Sequence, residues 1–81
     1  MINVKACKKP HGYFKGINFM TPTIVEYYKL RRGYGYAELS VGEGIKREKI
    51  YGVTIKPDSQ VRPNKAFSSV MRALSYIESL S

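Results

Sequence analysis

Two segments of the chain alternate apolar and polar residues with a period of two, the pattern of strands that bury one face. These segments are residues 34–41 and residues 49–56. The positions that share their apolar faces are Ala37, Leu39, Val41, Tyr51, Val53 and Ile55. A third segment, residues 24–31, is rich in β-branched and aromatic residues, which favours a further strand. Because short glycine-containing links join the three segments, we expect an antiparallel three-stranded meander over residues 24–56.

The apolar spacing changes to three and four over residues 65–80, which predicts one helix. The apolar stripe of this helix is expected to comprise Phe67, Val70, Met71, Leu74, Ile77 and Leu80. Ser68 is the predicted N-cap, with Asn64 as the alternative if the helix begins earlier. A single helix of this length is marginal on its own, so we expect it to pack on one face of the sheet.

The first twenty residues follow a less regular pattern. Residues 2–6 and residues 13–19 each suit a strand, with a turn at residues 10–12 between them, whereas Gly16 disfavours the second strand. The pattern alone leaves open whether this segment joins the sheet. The expected fold class is therefore α+β: a single domain with an antiparallel β-meander of three to five strands and one C-terminal helix packed on one face.

Strand parity predicts which residues lie on the sheet face opposite the helix. With a link of even length after the first strand of the meander, odd positions before the turn share a face with even positions after it. Ile24, Tyr28 and Leu30 are then expected on the helix side. The residues expected on the opposite face, which a single helix leaves at least partly open, are Tyr27, Lys29, Arg31, Tyr34, Tyr36, Glu38, Thr54 and Lys56.

The chain is short and strongly basic. Its 81 residues include 14 Lys or Arg and 6 Asp or Glu, which gives a formal net charge of +8. Much of this charge lies in the first 33 residues, where the basic arm consists of Lys5, Lys8, Lys9 and Lys15. A field of this sign favours a polyanionic partner such as nucleic acid or an acidic protein.

The cysteine content and the apolar runs bear on the compartment. Cys7 is the single cysteine, so no intramolecular disulfide can form. The N-terminus lacks the apolar run of a signal peptide, and no apolar run approaches the ~20 residues of a membrane span. We therefore expect a cytoplasmic protein without membrane contact.

Basic residues neutralise phosphates, and tyrosine rings offer stacking surfaces to unpaired bases. The sequence therefore predicts a DNA- or RNA-binding surface on the open sheet face and its turns. The candidate nucleic-acid-binding residues are Tyr27, Lys29, Arg31, Arg32, Tyr34, Tyr36, Lys46, Arg47 and Lys56. In element order, residues 24–80 resemble small DNA-binding modules with a three-stranded sheet and one helix, such as integrase arm-binding and plant AP2-like domains. The resemblance carries over no functional position.

A second function suits the same residues. Tyrosine and arginine are enriched at binding hot spots, so the face also fits a protein-interaction or inhibitor module of the kind found among phage and plasmid accessory proteins. Such a module would bind an acidic protein and have no nucleic-acid role. An exposed edge strand would also allow a homodimer that extends the sheet.

Catalytic and cofactor chemistry find little support in the sequence. Cys7 and His11 are four residues apart, but Pro10 between them disfavours a helix and no further cysteine or histidine completes a metal site. The glycine-rich turns lack the Gly-Lys-Ser/Thr run of a phosphate-binding loop, and the acidic residues are scattered. We expect no catalytic residue, no metal and no cofactor, and hence no enzyme.

Overall fold

The computed structural model describes residues 4–10, 23–31, 35–56, 61 and 63–81. These residues form one antiparallel sheet whose strands lie side by side in chain order, followed by one helix. The elements are β1 (Ala6–Cys7), β2 (Thr23–Lys29), β3 (Tyr36–Glu43), β4 (Lys49–Lys56), β5 (Lys65–Phe67) and α1 (Val70–Ser79). The α+β class and the C-terminal helix on an antiparallel sheet are confirmed, with five strands in the described residues.

The core lies between the sheet and α1, on the face that the alternation predicts. Ala37 pairs with Ile55 and Leu39 pairs with Val53, and all four side chains are buried. The core cluster consists of Tyr28, Leu30, Ala37, Leu39, Val53, Ile55, Ala73, Ile77 and Leu80. Burial of this apolar face is the main favourable term that holds the helix on the sheet.

A β-bulge interrupts β2. Glu26 pairs with Leu39, but Ile24 pairs with Ser40, so the register shifts by one residue between them. The parity predicted for the segment therefore holds from Glu26 to Lys29 and not at Ile24, whose pairing position is that of Ser40. A bulge of this kind adds one residue to one strand and cannot be read from alternation alone.

The helix is shorter than the predicted 65–80, because residues 65–67 pair with β4 as the edge strand β5. Neither predicted N-cap is correct. Ser69 caps the helix, and its hydroxyl accepts a hydrogen bond from the Met71 backbone N at 3.2 Å. Asn64 instead completes β4, because its side-chain oxygen accepts from the Ile55 backbone N at 2.7 Å.

The predicted apolar stripe is confirmed at Ile77 and Leu80, with Leu74 packed against the core, but it is wrong at Val70 and Met71, and it omits Ala73. Ala73 and Ile77 are the buried residues of α1, whereas Val70 is 37% and Met71 is 58% exposed. The small side chain of Ala73 lets the helix approach the sheet closely. Tyr76 ties this helix to the segment before β5, since its hydroxyl donates to the Pro63 carbonyl at 2.6 Å.

At the N-terminus, the described residues include a two-residue strand. Ala6 pairs with Tyr28 and Cys7 pairs with Tyr27, so the chain start joins the sheet beside β2. The possible strand at residues 13–19 lies outside the described residues.

Thr54 carries a buried hydroxyl for which the described part of the chain offers no hydrogen-bond partner. We expect Thr54→Val to leave the free energy of unfolding unchanged or to raise it by up to about 1 kcal/mol, because an unpaired buried hydroxyl is desolvated without compensation. Urea unfolding followed by circular dichroism measures the change.

Ser40→Ala is the matched control, since the Ser40 hydroxyl is also buried but donates to the Gly52 carbonyl at 3.4 Å. This variant is expected to lose about 0.5–1 kcal/mol. If Thr54→Val lowered the free energy of unfolding more than Ser40→Ala does, this would contradict the description of the Thr54 hydroxyl as a buried group without a hydrogen-bond partner.

Candidate nucleic-acid interface

Two lysines flank a tyrosine at one end of the sheet. Tyr36 of β3 pairs with Lys29 of β2 on one side and with Lys56 of β4 on the other. Directly paired residues of an antiparallel sheet share a face, so all three lie on the face opposite α1, as parity predicts. Lys29 is exposed, and Tyr36 and Lys56 are partly exposed.

Lys5, the residue before β1, extends this group beyond β2. Ala6 of β1 pairs with Tyr28 of β2. Continuing that antiparallel register by one residue places Lys5 beside Lys29. Lys5 is exposed. We call Lys5, Lys29, Tyr36 and Lys56 the lysine row.

The lysine row concentrates positive charge. Neighbouring strands lie about 4.8 Å apart, so Lys29 and Lys56 are separated by about 10 Å across Tyr36. That spacing is close to the Debye length of about 10 Å at 0.1 M salt, so the fields of neighbouring ammonium groups add. No member of the row is acidic. The row therefore attracts polyanions more strongly than a single exposed lysine does.

The next row inward on the same face is buried and carries no lysine or arginine. Tyr27 is 8% exposed and Glu38 is 6% exposed, and the Tyr27 hydroxyl donates to Glu38 Oε2 at 3.0 Å. The centre of the face is therefore not open, and Tyr27 does not present a ring for stacking. Because its ring is buried, Tyr27 is not part of the candidate surface.

Burial also sets the protonation state of two tyrosines. Desolvation raises the pKa of Tyr27, and the hydrogen bond to Glu38 and the charge of that carboxylate raise it further. Desolvation and then the charge of Glu26 raise the pKa of Tyr28. Tyr27 therefore stays a neutral donor to Glu38 throughout the physiological pH range.

Arg31 is bound to the end of α1. Its Nη2 donates to the Ser79 carbonyl at 3.0 Å, and its backbone N donates to the Leu80 carbonyl at 2.9 Å. The last turn of α1 contains no basic residue of its own. Arg31 supplies the cation that a helix C-terminus favours, so its guanidinium has a structural role.

The remaining candidates lie elsewhere. Lys46 and Arg47 are exposed in the β3–β4 turn, at the far end of β3 from Tyr36, roughly 25 Å from the lysine row. Arg32 and Tyr34 lie outside the described residues. The structure thus brings together Lys29, Tyr36 and Lys56, adds Lys5 and separates the turn cations from them.

Sequence reasoning assigned Lys5 only to a basic arm. The signal that places Lys5 in the row is the register of β1, and a two-residue strand has no alternation from which to read a register. Within the described residues, no group of three potential metal-ligating side chains occurs. In the same part of the chain, no helix is both long and apolar enough to cross a membrane.

No family model, curated protein or solved structure matches the chain.

Arg31→Ala is expected to lower the free energy of unfolding by about 0.5–1 kcal/mol, because the C-terminal carbonyls of α1 lose a cationic partner. Urea unfolding measures the change. Arg72→Ala is the matched control, since Arg72 is exposed on the same helix near its N-terminal end. The control is expected to stay within about 0.5 kcal/mol. Equal effects of the two variants would contradict a specific role for Arg31.

We expect the protein to lose stability as the pH rises above about 10, where tyrosines of the unfolded chain release their protons. The folded state holds the Tyr27 proton to higher pH because its pKa is raised, so the unfolded state binds fewer protons and stability falls. Below that pH the contribution is fully present. Tyr27→Phe should reduce the slope of stability against pH between about 10 and 11. An unchanged slope would show that Tyr27 does not contribute.

Proposed function

We propose that the protein binds nucleic acid through the lysine row. The observation that carries the proposal is the in-register placement of Tyr36 between Lys29 and Lys56, on the face opposite the helix. Ammonium groups neutralise phosphates and release counterions, and a tyrosine hydroxyl is a common donor to phosphate oxygens. The row supplies both groups side by side.

The positions of the charges support contact with a polyanionic backbone. Lys29 and Lys56 lie on β2 and β4, and Lys5 directly precedes β1, so the three cations form a line across the sheet. A line of separated cations suits a chain of phosphates better than it suits one compact anion. The partly exposed Tyr36 ring lies within the line and is accessible to a sugar or an unpaired base.

The expected consequence is steep salt dependence. Each lost phosphate contact should reduce the slope of log affinity against log salt by about 0.9 for duplex and about 0.7 for single strands. We expect Lys29→Gln to reduce the slope by about this amount in fluorescence anisotropy titrations of a labelled oligonucleotide between 50 and 200 mM salt.

Arg72→Gln is the charge-matched control, because it removes one exposed cation from α1, on the other side of the sheet. Its slope should equal that of the wild type. If neither a single-stranded nor a duplex oligonucleotide binds the wild type at 50 mM salt, nucleic-acid binding is wrong. The protein-interaction function would then be the one to pursue, through a partner that survives nuclease treatment.

A further inference from the structure

The β3–β4 hairpin extends beyond its neighbours. Within the described residues, the pairing of β2 with β3 ends at Val41 and the pairing of β5 with β4 ends at Tyr51. From Gly42 to Ile50 the two strands pair with each other, and a turn at residues 44–48 closes them. We call residues 42–50 the finger. It projects about 10 Å past the neighbouring strands.

The turn of the finger is tightly specified. The Gly44 backbone N donates to the Glu48 carbonyl at 2.9 Å, and the Arg47 backbone N donates to the Gly44 carbonyl at 3.0 Å. Arg47 has a φ of 61°, a left-handed conformation that costs an L-residue roughly 1–2 kcal/mol and that glycine adopts freely. A bulky cation therefore occupies a position where glycine would be more stable. A left-handed residue at this place is the usual geometry of a three-residue hairpin loop, so the turn itself requires this conformation of Arg47.

The tip combines one apolar and two basic side chains. Ile45 is 99% exposed, the highest value among the large apolar residues described, and Lys46 and Arg47 beside it are also exposed. A Cβ at Gly44 would overlap the Glu48 carboxylate, so the side chain of Glu48 lies against the base of the turn. Glu48 is itself exposed, so its carboxylate lies near the two cations of the tip.

Glu43 is the other acidic residue of the finger, and it has a cation beside it. Glu43 pairs in register with Lys49 on the neighbouring strand. Opposite charges at directly paired positions offset each other, so Lys46 and Arg47 remain beside Glu48 and the finger carries a net charge of about +1.

We propose that the finger enters the major groove of duplex DNA, an inference that rests on nucleic-acid binding by the lysine row. A two-stranded ribbon fits a groove about 12 Å wide and about 8.5 Å deep, whereas the minor groove, at about 6 Å, is too narrow. The finger lies lengthwise in the groove, so β3 and β4 run along the duplex and do not point at its axis. Ile45 contacts the C5-methyl group of thymine, while Lys46 and Arg47 contact the phosphates that border the groove.

One duplex can meet both clusters. The lysine row and the finger lie at opposite ends of β3, roughly 25 Å apart, and one turn of B-DNA spans about 34 Å. The lysine row then holds the backbone, and the finger reads the bases. This division assigns salt dependence to the row and base preference to the finger.

The test removes the thymine methyl group from the DNA and the apolar tip from the protein. Anisotropy titrations compare a thymine-containing duplex with the same duplex in which uracil replaces every thymine. The wild type should bind the uracil duplex about fourfold more weakly for each methyl contact, the effect of one buried methyl group. Ile45→Ser should bind both duplexes equally and keep the salt slope of the wild type, because no cation is lost.

Met71→Ser is the matched control, because Met71 is an exposed apolar residue on α1 and away from the finger. It should retain the preference for thymine. Equal binding of both duplexes by the wild type would overturn the finger proposal, as would a preference that survives in Ile45→Ser. A reduced salt slope in Lys29→Gln would leave the proposed function standing in either case.

Two further outcomes also overturn the proposal. If the wild type binds neither duplex nor single strands, the finger and the lysine row both fail as nucleic-acid sites. If the wild type binds phosphatidylserine vesicles, and Ile45→Ser abolishes that binding without changing DNA affinity, the finger belongs to a membrane contact instead.

Discussion

The register between β3 and β4 is the constraint on which the rest of the structure depends. Eight consecutive pairs run from Tyr36 with Lys56 to Glu43 with Lys49. Because side chains alternate between faces, a slip of one residue would move either Leu39 or Val53 to the opposite face of the sheet and a flanking polar residue to the core. The lysine row at one end and the finger at the other are both consequences of this register. Burial of the core beneath α1 thus fixes the positions of the lysine row and the finger, although neither cluster is part of that core.

The C-terminus of α1 imposes a second constraint, because the last carbonyls of a helix have no donor within the helix and need hydrogen-bond partners from elsewhere. Here the chain supplies them from several sources: the Leu80 backbone N donates to the Ile77 carbonyl, the Ser81 backbone N to the Glu78 carbonyl and the Arg31 side chain to the Ser79 carbonyl. The end of α1 is therefore anchored to Arg31, two residues after β2. Arg31, a candidate phosphate ligand by residue type, thus also helps to close the fold, and residue type alone does not indicate this structural contact.

The limits of sequence reasoning follow from what alternation can report. It places Lys29, Tyr36 and Lys56 together because each lies in a strand with clear parity, and the structure confirms their shared register. It cannot foresee the burial of Tyr27, since parity gives the face and not what covers it. The helix start at Val70 was missed because Phe67 lies at helical spacing from Val70 and Met71, yet pairs with Tyr51 as a strand residue. Local spacing fits both structures, and only the hydrogen bonds from the edge of β4 decide between them.

The distribution of polar groups on the face opposite the helix is itself constrained by solvation. A lysine at the position of Glu38 or Thr54 would lose its hydration at high cost, whereas a neutral phenol paired with a carboxylate satisfies the buried interior of this face. On this face, cations can therefore occupy only the two ends of the central strands. If both ends contact one duplex, the rigid β3–β4 hairpin holds them at a fixed separation, so little conformational entropy is lost when the second contact forms. The same solvation rule that keeps unpaired cations out of the centre then favours a ligand long enough to reach from one end to the other.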